Sequence, residues 1–486
     1  MSNSRLEEIR KIRLEKLQKL RDLVVDPYPS KPSRPSISIL SARDKADEKV
    51  FVVGRLWRWR QHGNVIFADV KDASGQIQLL FQKKVIGDKW QMLNLLDVGD
   101  FLGVEGKVTT TQAGEITIDV GHFELLSKST RPLPDDWHGL KDIEERYRQR
   151  YVDLLLNEDS RNVFLARTKI VKYLRKFLDD HGFVEVETPV LQSIYGGTLA
   201  KPFSTHHNAL DTDFFLRISD ELFLKRLIVG GLDRVYEIGK DFRNEGMDRA
   251  HNPEFTMLEF YWAYTDYEDL MEFTETMLSG IIKEIKGSPK FTYQGTNLDF
   301  SSPWPRITYR QAILDHAGID INEANTEKKL LAEIKRNNIK LNLEGVAGFG
   351  ALMDHLYKKT TRPHLIGPLF LIDRPTEFVS LAKRKPEDPT KTASFQLLVA
   401  GEEILTAYNE LNDPVDQAER WRSSEELGNK GQAEHEEFDA DYIRALEYGM
   451  PPTAGWGMGI DRFVSILTDQ PSLKDTILFP TLRPEK

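Results

Sequence analysis

The segment RVYEIGKDFRNEG at 234–246, followed by HNPEFTMLEFYWAY at 251–264, decides the fold of the larger part of the chain. Its pattern of apolar and polar residues predicts two β-strands on either side of a loop rich in charged residues. Side chains two residues apart share one face of a strand. In the second segment, that face would carry four side chains: Phe255, Met257, Glu259 and Tyr261.

The surrounding segments predict long amphipathic helices mixed with strands, as in an α+β domain. Residues 162–181 predict a helix, and FVEVETPVL at 183–191 predicts a strand that is interrupted at its proline. GWGMGIDRFVSILTD at 455–469 predicts a glycine-rich turn that enters a helix. Residues 265–345 predict a charged helical insertion.

The N-terminal part of the chain has a different pattern. Residues 50–127 contain five short β-type runs and one helical stretch near residues 89–96. This density of short strands predicts a small Greek-key barrel of the OB type. Proline- and serine-rich residues 26–36 predict a linker before the barrel, and residues 128–147 predict a hinge after it. The second domain then covers residues 148–486.

Residues 1–36 predict a basic helix followed by that linker. Residues 1–24 hold seven Lys and Arg against four Asp and Glu, and their apolar residues recur near helical spacing. Two interpretations stay open: a solvated helix that packs on its neighbour, or a helix that also touches RNA phosphates. The formal net charge of the whole chain is −10, so a nucleic acid would need a local basic surface.

Composition limits the classes of protein that the chain can belong to. Its 486 residues exceed what one hydrophobic core usually supports, so at least two domains are expected. The absence of cysteine excludes disulfides, thiolate nucleophiles and cysteine-ligated zinc. Any metal must bind oxygen or imidazole ligands, which favours magnesium in an enzyme that handles phosphate. Because the sequence has neither an apolar membrane span nor the apolar core of a signal peptide, we expect a cytoplasmic protein without a membrane partner.

Four segments together resemble the signature motifs of the class II aminoacyl-tRNA synthetases. FVEVETPVL is similar to motif 1, DFRNEG at 241–246 with HNPEFTMLEFYWAY to motif 2, and GMGIDR at 457–462 to motif 3. Residues 196–231 and ELNDPVDQAER at 410–420 are similar to the lysine branch of that family. The resemblance covers almost the whole chain. It implies an α+β protein, with an OB-type anticodon-binding barrel joined to a catalytic domain built on an antiparallel sheet with flanking helices.

The resemblance implies that lysine and ATP give lysyl-adenylate and pyrophosphate, and that lysine then moves to the 3′ end of tRNA(Lys). In the first step an ionised carboxylate attacks the α-phosphorus, so catalysis consists of positioning and charge neutralisation and needs no general base. The guanidinium of Arg243 can donate hydrogen bonds to both an α-phosphate oxygen and the lysine carboxylate. By resemblance, Arg462 and His251 meet the γ-phosphate. Phe255 stacks on adenine, and Glu245 meets the exocyclic amine of that base.

A lysine substrate carries a compact ammonium group, which a buried pocket must meet with carboxylates. By resemblance, Glu259 and Glu410 face the ε-ammonium, and Tyr261 hydrogen-bonds beside them. Glu221 and the backbone oxygen of Gly197 hold the α-amine.

Three departures from the lysine family lie close together. The family has an Arg-Phe-Glu run where this chain has Ser394-Phe395-Gln396, and it has Asn where this chain has Thr406. Gln396 falls at the position of a magnesium-binding carboxylate, which leaves Glu403 as the clear metal ligand. The resemblance therefore implies Mg²⁺ held by Glu403 and Gln396.

The barrel resembles the anticodon-binding domain of the lysine, aspartate and asparagine enzymes. Arg60, Phe67 and Gln78 match the positions that read the central uridine of the anticodon. An aromatic ring can stack an unpaired base while Gln and Arg bond its edge. The other interpretation of Phe67 is an ordinary core residue.

The resemblance also implies a homodimer through the motif 1 segment, residues 170–191. Three alternatives stay open. An aspartate or asparagine enzyme would need a cationic pocket, which the pair Glu259 and Glu410 disfavours. A ligase that lysylates a protein is disfavoured by the barrel. A non-catalytic RNA-binding relative is disfavoured by the presence of both Arg243 and Arg462.

Overall fold

The computed structural model describes residues 3–134, 140, 142–344, 346, 348–429 and 437–485. The chain divides into two compact units between Asp142 and Ile143. This boundary falls inside the segment 128–147 predicted as a hinge, of which residues 135–139 and 141 lie outside the described part. In the described residues, no helix is both long and apolar enough to cross a membrane.

The first unit is a closed barrel with the strand order β1-β2-β3-β5-β4. Its elements in chain order are α1 (Asn3–Asp22), α2 (Ile39–Arg43), β1 (Lys49–His62), β2 (Val65–Lys71), β3 (Gln76–Gln82), α3 (Lys83–Ile86), β4 (Phe101–Thr110) and β5 (Ile116–Ser127). Buried and half-buried residues alternate along β3, because one face of the strand meets the barrel core. The five predicted strands are confirmed. The helix predicted near residues 89–96 is instead a 3-10 helix over Gly87–Leu95.

Helix α1 packs on the barrel through part of its basic face. Arg13 is 7 % exposed, and its guanidinium donates to the backbone oxygens of Val98 and Arg131 at 3.1 Å. Lys16 Nζ lies 2.7 Å from Asp97 Oδ1. The other basic residues of the helix are exposed: Arg5, Arg10, Lys11, Lys19 and Arg21. Packing on a neighbour is thus observed, and contact of the exposed residues with RNA stays a prediction.

The second unit mixes helices and strands. Its first elements are α4 (Ile143–Arg148), α5 (Arg150–Leu156), α6 (Glu158–Asp180), β6 (Val184–Glu185), β7 (Leu191–Gln192), β8 (Ser204–His207), β9 (Thr212–Leu216), α7 (Glu221–Val229), β10 (Arg234–Phe242), β11 (Glu254–Ala263) and α8 (Tyr267–Lys286). They are followed by β12 (Lys290–Tyr293), β13 (Thr296–Asp299), β14 (Arg306–Thr308), α9 (Tyr309–Ala317), α10 (Glu327–Arg336) and α11 (Phe349–Leu356). The last are β15 (Leu369–Ile372), β16 (Ser394–Val399), β17 (Glu402–Asn409), α12 (Pro414–Asn429), α13 (Ala440–Glu447), β18 (Thr453–Gly459) and α14 (Ile460–Leu467).

An eight-stranded sheet organises this unit, in the order β14-β15-β16-β17-β18-β11-β10-β6. The strands pair antiparallel except at the two edges, where β14 joins β15 and β6 joins β10 in parallel. Helices α6, α8 and α14 pack apolar residues such as Leu174, Leu278 and Phe463 into one core with the sheet. The predicted α+β architecture with an antiparallel sheet is confirmed.

The segment 265–345 differs from the predicted helical insertion. Helix α8 belongs to the main core, where Leu270 and Ile281 are fully buried. A hairpin of β12 and β13 follows, and β14 joins the main sheet. Helices α9, α10 and α11 build a second apolar cluster together with Leu371 of β15 and Leu398 of β16. The segment is therefore part helix and part strand, and its interpretation as an insertion stays a prediction.

The motif 1 segment is divided between two sheets. Strand β6 pairs with β10 in the main sheet, whereas β7 pairs with β9 in a small three-stranded sheet. Pro189 lies between them, and proline has no N–H to donate to a strand ladder. The predicted interruption at Pro189 is confirmed.

Candidate active site

A cavity of about 1080 Å³ lies over the part of the main sheet formed by β11, β17 and β18. Every second residue of β11 lines it: Phe255, Met257, Glu259 and Tyr261. Leu258 and Phe260, which alternate with them, are buried in the core behind the sheet. The shared face predicted from the two-residue spacing is therefore confirmed.

The segment GWGMG, predicted as a turn, is instead the strand β18 beside β11. Gly455 stands opposite Tyr261, and Gly457 stands opposite Glu259. The residues between the glycines are buried in the core. A Cβ at Gly455 would collide with Glu410 Oε1 and with the Tyr261 ring. At these two glycines, the cavity face of β18 therefore has no side chains, which leaves room in the cavity for the side chains of β11.

One end of the cavity is acidic. Glu221 and Glu259 both line it, and they are 5 % and 6 % exposed. The hydroxyl of Tyr261 donates to Glu259 Oε2 at 3.0 Å, and the hydroxyl of Tyr408 donates to Glu221 Oε1 at 2.6 Å. Gly197 also lines this end, with a φ of 93° that a side chain would strain. Buried carboxylates need a cationic or hydrogen-bonding partner, so this end suits an ammonium group.

Glu410 lies beside Gly455 of the cavity wall. It is 1 % exposed and does not belong to the cavity lining. Its Oε2 pairs with Nζ of Lys225, a fully buried lysine that also pairs with Glu221. One oxygen of the Glu410 carboxylate thus pairs with a lysine of the chain itself, and its contact with a substrate ammonium stays a prediction.

Three carboxyl groups share the acidic end, namely those of Asp220, Asp241 and Glu259, with one oxygen of each within 4.8 Å of the others. Burial, followed by the charge of Asp241 and then of Glu221, raises the pKa of Glu259 to about 8. Burial also raises the pKa of Asp220 and of Asp241. Arg217 offsets part of the negative charge, with Nε 3.1 Å from Asp241 Oδ1. Burial therefore favours the protonated carboxyl groups at this end, and a bound cation would favour their ionisation.

The groups expected to meet ATP lie beyond this acidic end. Arg243, Glu245, His251 and Phe255 all line the cavity. The guanidinium carbon of Arg243 is 5.0 Å from the centroid of the Phe255 ring. His251 Nδ1 is 3.0 Å from Asp248 Oδ2, which orients the imidazole. The loop between β10 and β11 thus brings a cation, an aromatic ring and a carboxylate to one region.

Arg462 reaches the same cavity from the first turn of α14. The neighbouring Asp461 is anchored twice, by the N–H of Thr256 at 2.8 Å and by Arg167 Nη1 at 2.5 Å. Arg462 Nη1 donates to the backbone oxygen of Glu403. These contacts join α14 to β11 and β17, so the arginine is held by the sheet.

The expected metal ligands lie on neighbouring strands. Glu403 and Gln396 both line the cavity, and the hydroxyl of Thr406 donates to Glu403 Oε1 at 2.9 Å. Nε2 of Gln396 is 3.4 Å from Thr406 Oγ1. Ser394 is fully buried and does not line the cavity. Magnesium usually binds one or two protein carboxylates together with substrate phosphates, so this donor set fits an ion that arrives with ATP.

The predicted anticodon residues lie together on the outer face of the barrel. Arg60 of β1 stands opposite Phe67 of β2, and Gln78 of β3 stands opposite Asp69. Phe67 is half-buried, whereas its neighbours along the strand belong to the barrel core. The hydroxyl of Thr117 donates to Gln78 Oε1 at 3.0 Å, which fixes the amide. The interpretation of Phe67 as a core residue is therefore wrong.

Sequence reasoning missed two features of the cavity. Lys225 lies four residues after Glu221 on α7, a spacing that brings side chains together on a helix, so the pair could have been found. A basic wall formed by Lys358, Arg362 and Arg374 also lines the cavity. No motif marks these three residues, and only the fold brings them to the site.

Two family models match the chain. The model of the class II tRNA synthetases (D, K and N) matches residues 142–483, and that of the OB-fold nucleic acid binding domain matches residues 50–126. The first range contains every residue that lines the cavity, and the second contains Arg60, Phe67 and Gln78.

The chain is also similar to several curated lysine–tRNA ligases. The one from Carboxydothermus hydrogenoformans is 46% identical, with 100% of each chain covered. The one from Pelotomaculum thermopropionicum is 45% identical, over 99% of this chain and 96% of its own. The one from Thermoanaerobacter pseudethanolicus is 46% identical, over 100% of this chain and 98% of its own.

Proposed function

The chain belongs to the lysine–tRNA ligases of the class II tRNA synthetases, and from that premise we propose how its residues divide the reaction. The enzyme activates lysine with ATP and attaches it to tRNA. The acidic end of the cavity takes the two ammonium groups of lysine, and the arginine-lined part takes the phosphates of ATP. The observation that carries this assignment is the pair of buried carboxylates, Glu221 and Glu259, at one end of a cavity that is lined elsewhere by several arginines.

In the activation step, a carboxylate oxygen of lysine attacks the α-phosphorus, and the bond from that phosphorus to the β-bridging oxygen breaks. Pyrophosphate leaves with the negative charge. Arg243 holds the lysine carboxylate and an α-phosphate oxygen together, which supplies proximity and neutralises charge. Arg462 and His251 neutralise the γ-phosphate. Phe255 stacks on adenine.

The adenine also meets Glu245, which accepts a hydrogen bond from the exocyclic amine.

In the transfer step, the terminal ribose hydroxyl of tRNA attacks the activated carbonyl carbon, and AMP leaves. The bond that forms is an ester between lysine and the 3′ end of the tRNA.

Lysine recognition rests on the acidic end of the cavity. Glu259 faces the ε-ammonium, with the Tyr261 hydroxyl hydrogen-bonded beside it. Glu221 and the backbone oxygen of Gly197 hold the α-amine. Glu410, which lies beside Gly455 of the cavity wall, faces the ε-ammonium together with Glu259. An aspartate or asparagine side chain would meet these carboxylates without an ammonium group, so the site disfavours those substrates.

Two variants test this division of the cavity. Glu259→Gln keeps the shape of the side chain and removes its charge, so the KM for lysine should rise about 100-fold while the KM for ATP stays the same. Arg243→Lys keeps the charge but loses the guanidinium, which can donate hydrogen bonds to two acceptors at once. The kcat should therefore fall about 100-fold at saturating substrates. Pyrophosphate exchange measured across lysine and ATP concentrations gives both parameters. An equal rise of both KM values in Glu259→Gln would contradict the assignment.

Magnesium is part of this proposal. Glu403, with the Gln396 carboxamide beside it, would hold Mg²⁺ that arrives with ATP, and the ion would neutralise phosphate charge. The chain contributes one carboxylate to this site, so the phosphates of ATP supply much of the affinity.

The barrel is proposed to read the anticodon of tRNA(Lys). Phe67 offers an aromatic face for an unpaired base, and Arg60 and Gln78 flank it as hydrogen-bonding groups. The cytoplasmic location expected from the sequence stays a prediction.

A homodimer through motif 1 is proposed as the assembly. Three large apolar side chains of the segment 170–191 are exposed by 40 % to 50 %: Val184, Val190 and Leu191. Leu165 and Ile194, which flank the segment, are exposed by 54 % and 41 %. Strand β6 is also an edge of the main sheet. Sedimentation at micromolar concentration should give a dimer, and Leu191→Asp should weaken it because a charge would enter an apolar interface. A fully active monomer would contradict this assembly.

A further inference from the structure

Arg362 and Arg374, two cations of the basic wall, have no hydrogen-bond or ion-pair partner among the residues that the structure describes. The Nε atom of each is buried without an acceptor. Lys358, the third cation of the wall, is exposed and pairs with Asp354 at 2.7 Å. A partly buried guanidinium is favourable only beside an anion or an acceptor, because its charge loses contact with water. Both arginines line the cavity, so a bound molecule can supply that partner.

Tyr357 adds a neutral donor to this wall. It is 4 % exposed, it lines the cavity, and its hydroxyl has no hydrogen-bond partner in the described part of the chain. Its ring packs on that of Tyr309, with the two centroids 4.9 Å apart. Burial, followed by the charge of Glu403, raises the pKa of the hydroxyl, and the charges of Arg374 and then Arg362 offset part of that rise. The hydroxyl therefore lies within electrostatic reach of the expected metal ligand and of both guanidinium groups.

The backbone holds both arginines next to the strands that carry the expected metal ligands. The backbone oxygen of Arg362 lies 3.3 Å from the position of a Cβ on Gly401, in the turn that precedes Glu403. Arg374 follows β15, and its backbone oxygen accepts from the N–H of Thr392 at 2.9 Å, just before β16 begins. The two arginines and the metal site therefore belong to one region of the cavity.

The chemistry of this region suits a diphosphate. The metal site contributes one carboxylate, that of Glu403, because position 396 is a glutamine. Magnesium then depends on phosphate oxygens for much of its affinity. Each guanidinium offers planar pairs of N–H donors, a geometry that matches phosphate oxygens. A ligand that meets both the ion and the two arginines must extend over several anionic oxygens, as the β- and γ-phosphates of ATP do.

We propose that Arg362 and Arg374, with the Tyr357 hydroxyl beside them, bind the β- and γ-phosphates of ATP and the pyrophosphate that leaves. The proposal rests on the proposed division of the cavity, in which the phosphates lie at its arginine-lined part. When the bond from the α-phosphorus to the bridging oxygen breaks, the electron pair stays on pyrophosphate, and the guanidinium groups stabilise that charge. The phosphates of the tRNA acceptor strand are disfavoured as the ligand, because both arginines lie beside the metal ligands.

Equilibrium binding of ATP and AMP, measured by calorimetry without lysine, tests the proposal in the absence of turnover. Arg362→Gln and Arg374→Gln should each raise the Kd of ATP about tenfold or more, because a charged hydrogen bond to phosphate is lost. The Kd of AMP, which has neither a β- nor a γ-phosphate, should stay parental. The Kd of lysine should also stay parental, which shows that the catalytic domain is folded.

Lys359→Gln is the matched control, because Lys359 belongs to the same helical turn as Tyr357, is exposed and does not line the cavity. It should leave the Kd of ATP unchanged. A Kd of ATP within about threefold of the parent in both arginine variants, or an equal loss of ATP and AMP affinity, would overturn the proposal. Parental ATP affinity with a raised KM for tRNA would assign the wall to the acceptor strand and also overturn it. If the parent itself bound ATP no more tightly than AMP, the proposed division of the cavity would be wrong, so the two failures are distinguished.

Discussion

At the scale of single residues, we expect lysine binding to depend on the ionisation of Glu259. Burial raises its pKa to about 8, so below that pH the free enzyme holds a proton there. The ammonium of lysine favours the charged form, which becomes populated only as the pH rises through about 8.

The KM for lysine should therefore fall as the pH is raised from about 6.5 to about 8.5, by up to tenfold per pH unit, while the KM for ATP stays nearly constant. Glu259→Gln has no proton to release, so its KM for lysine should be high and independent of pH over this window. A parental KM that does not change with pH would show that the carboxyl is already ionised in the free enzyme.

Gln396 gives a second prediction at this scale. A carboxamide oxygen can bind magnesium but lacks the charge that holds a hard cation. Gln396→Glu places a second carboxylate beside Glu403, so half-maximal activation should occur at a lower free Mg²⁺ concentration than in the parent. Gln311→Glu, which adds the same charge on an exposed helix face, is the control. Superimposed magnesium titrations of the parent and Gln396→Glu would remove this residue from the metal site.

Strand β18 sets the shape of the lysine end, at the scale of secondary-structure elements. Gly455→Ala would press a Cβ against Glu410 and Tyr261, so it should raise the KM for lysine at least about tenfold. Gly457→Ala on the same strand is the matched comparison, because its Cβ would make ordinary contacts of 3.5 Å with Glu259 and Met257. Its effect on lysine should be smaller. Equal effects of the two variants would mean that the side chains of Glu410 and Tyr261 move and so relieve the collision at Gly455.

The strands of the barrel carry a separate prediction. Phe67→Ala should weaken tRNA binding by about 1–3 kcal/mol, the usual contribution of one base–aromatic stack. Leu40→Ala removes an exposed apolar side chain from α2 of the same unit and should leave tRNA affinity unchanged. Lysine-dependent pyrophosphate exchange should be parental in both, because both residues belong to the first unit and the described cavity is lined by residues of the second. Unchanged tRNA affinity in Phe67→Ala would exclude this ring from the anticodon site.

Sequence reasoning succeeded for elements whose pattern is local. The alternation along β11 and the break at Pro189 follow from strand geometry, so both were predicted. The sequence predicts a turn at the glycines of β18, because glycine has no side chain that would reveal which face of a strand it occupies. The partner of Glu410 was missed for a different reason: Lys225 and Glu410 are distant in sequence, and only the packing of α7 against the end of β17 pairs them.

The whole molecule consists of two units with separate tasks. Every residue proposed to bind lysine, ATP or magnesium belongs to the second unit, and every residue proposed to read the anticodon belongs to the first. The family and the fold were predicted from the sequence because the motifs extend over both units, and the family models match both. The central claim is therefore chemical: the cavity of the second unit selects an amino acid that has an ammonium side chain.

Pyrophosphate exchange with ATP, measured for each of the twenty amino acids in turn, tests that claim most directly. The two buried carboxylates predict exchange that depends on lysine and is negligible for methionine and leucine, which have similar bulk and no ammonium group. Aspartate and asparagine should give none, since they would bring no positive side chain to Glu221 and Glu259. Exchange driven by aspartate or asparagine, or no exchange with lysine at saturating ATP and magnesium, would contradict the account.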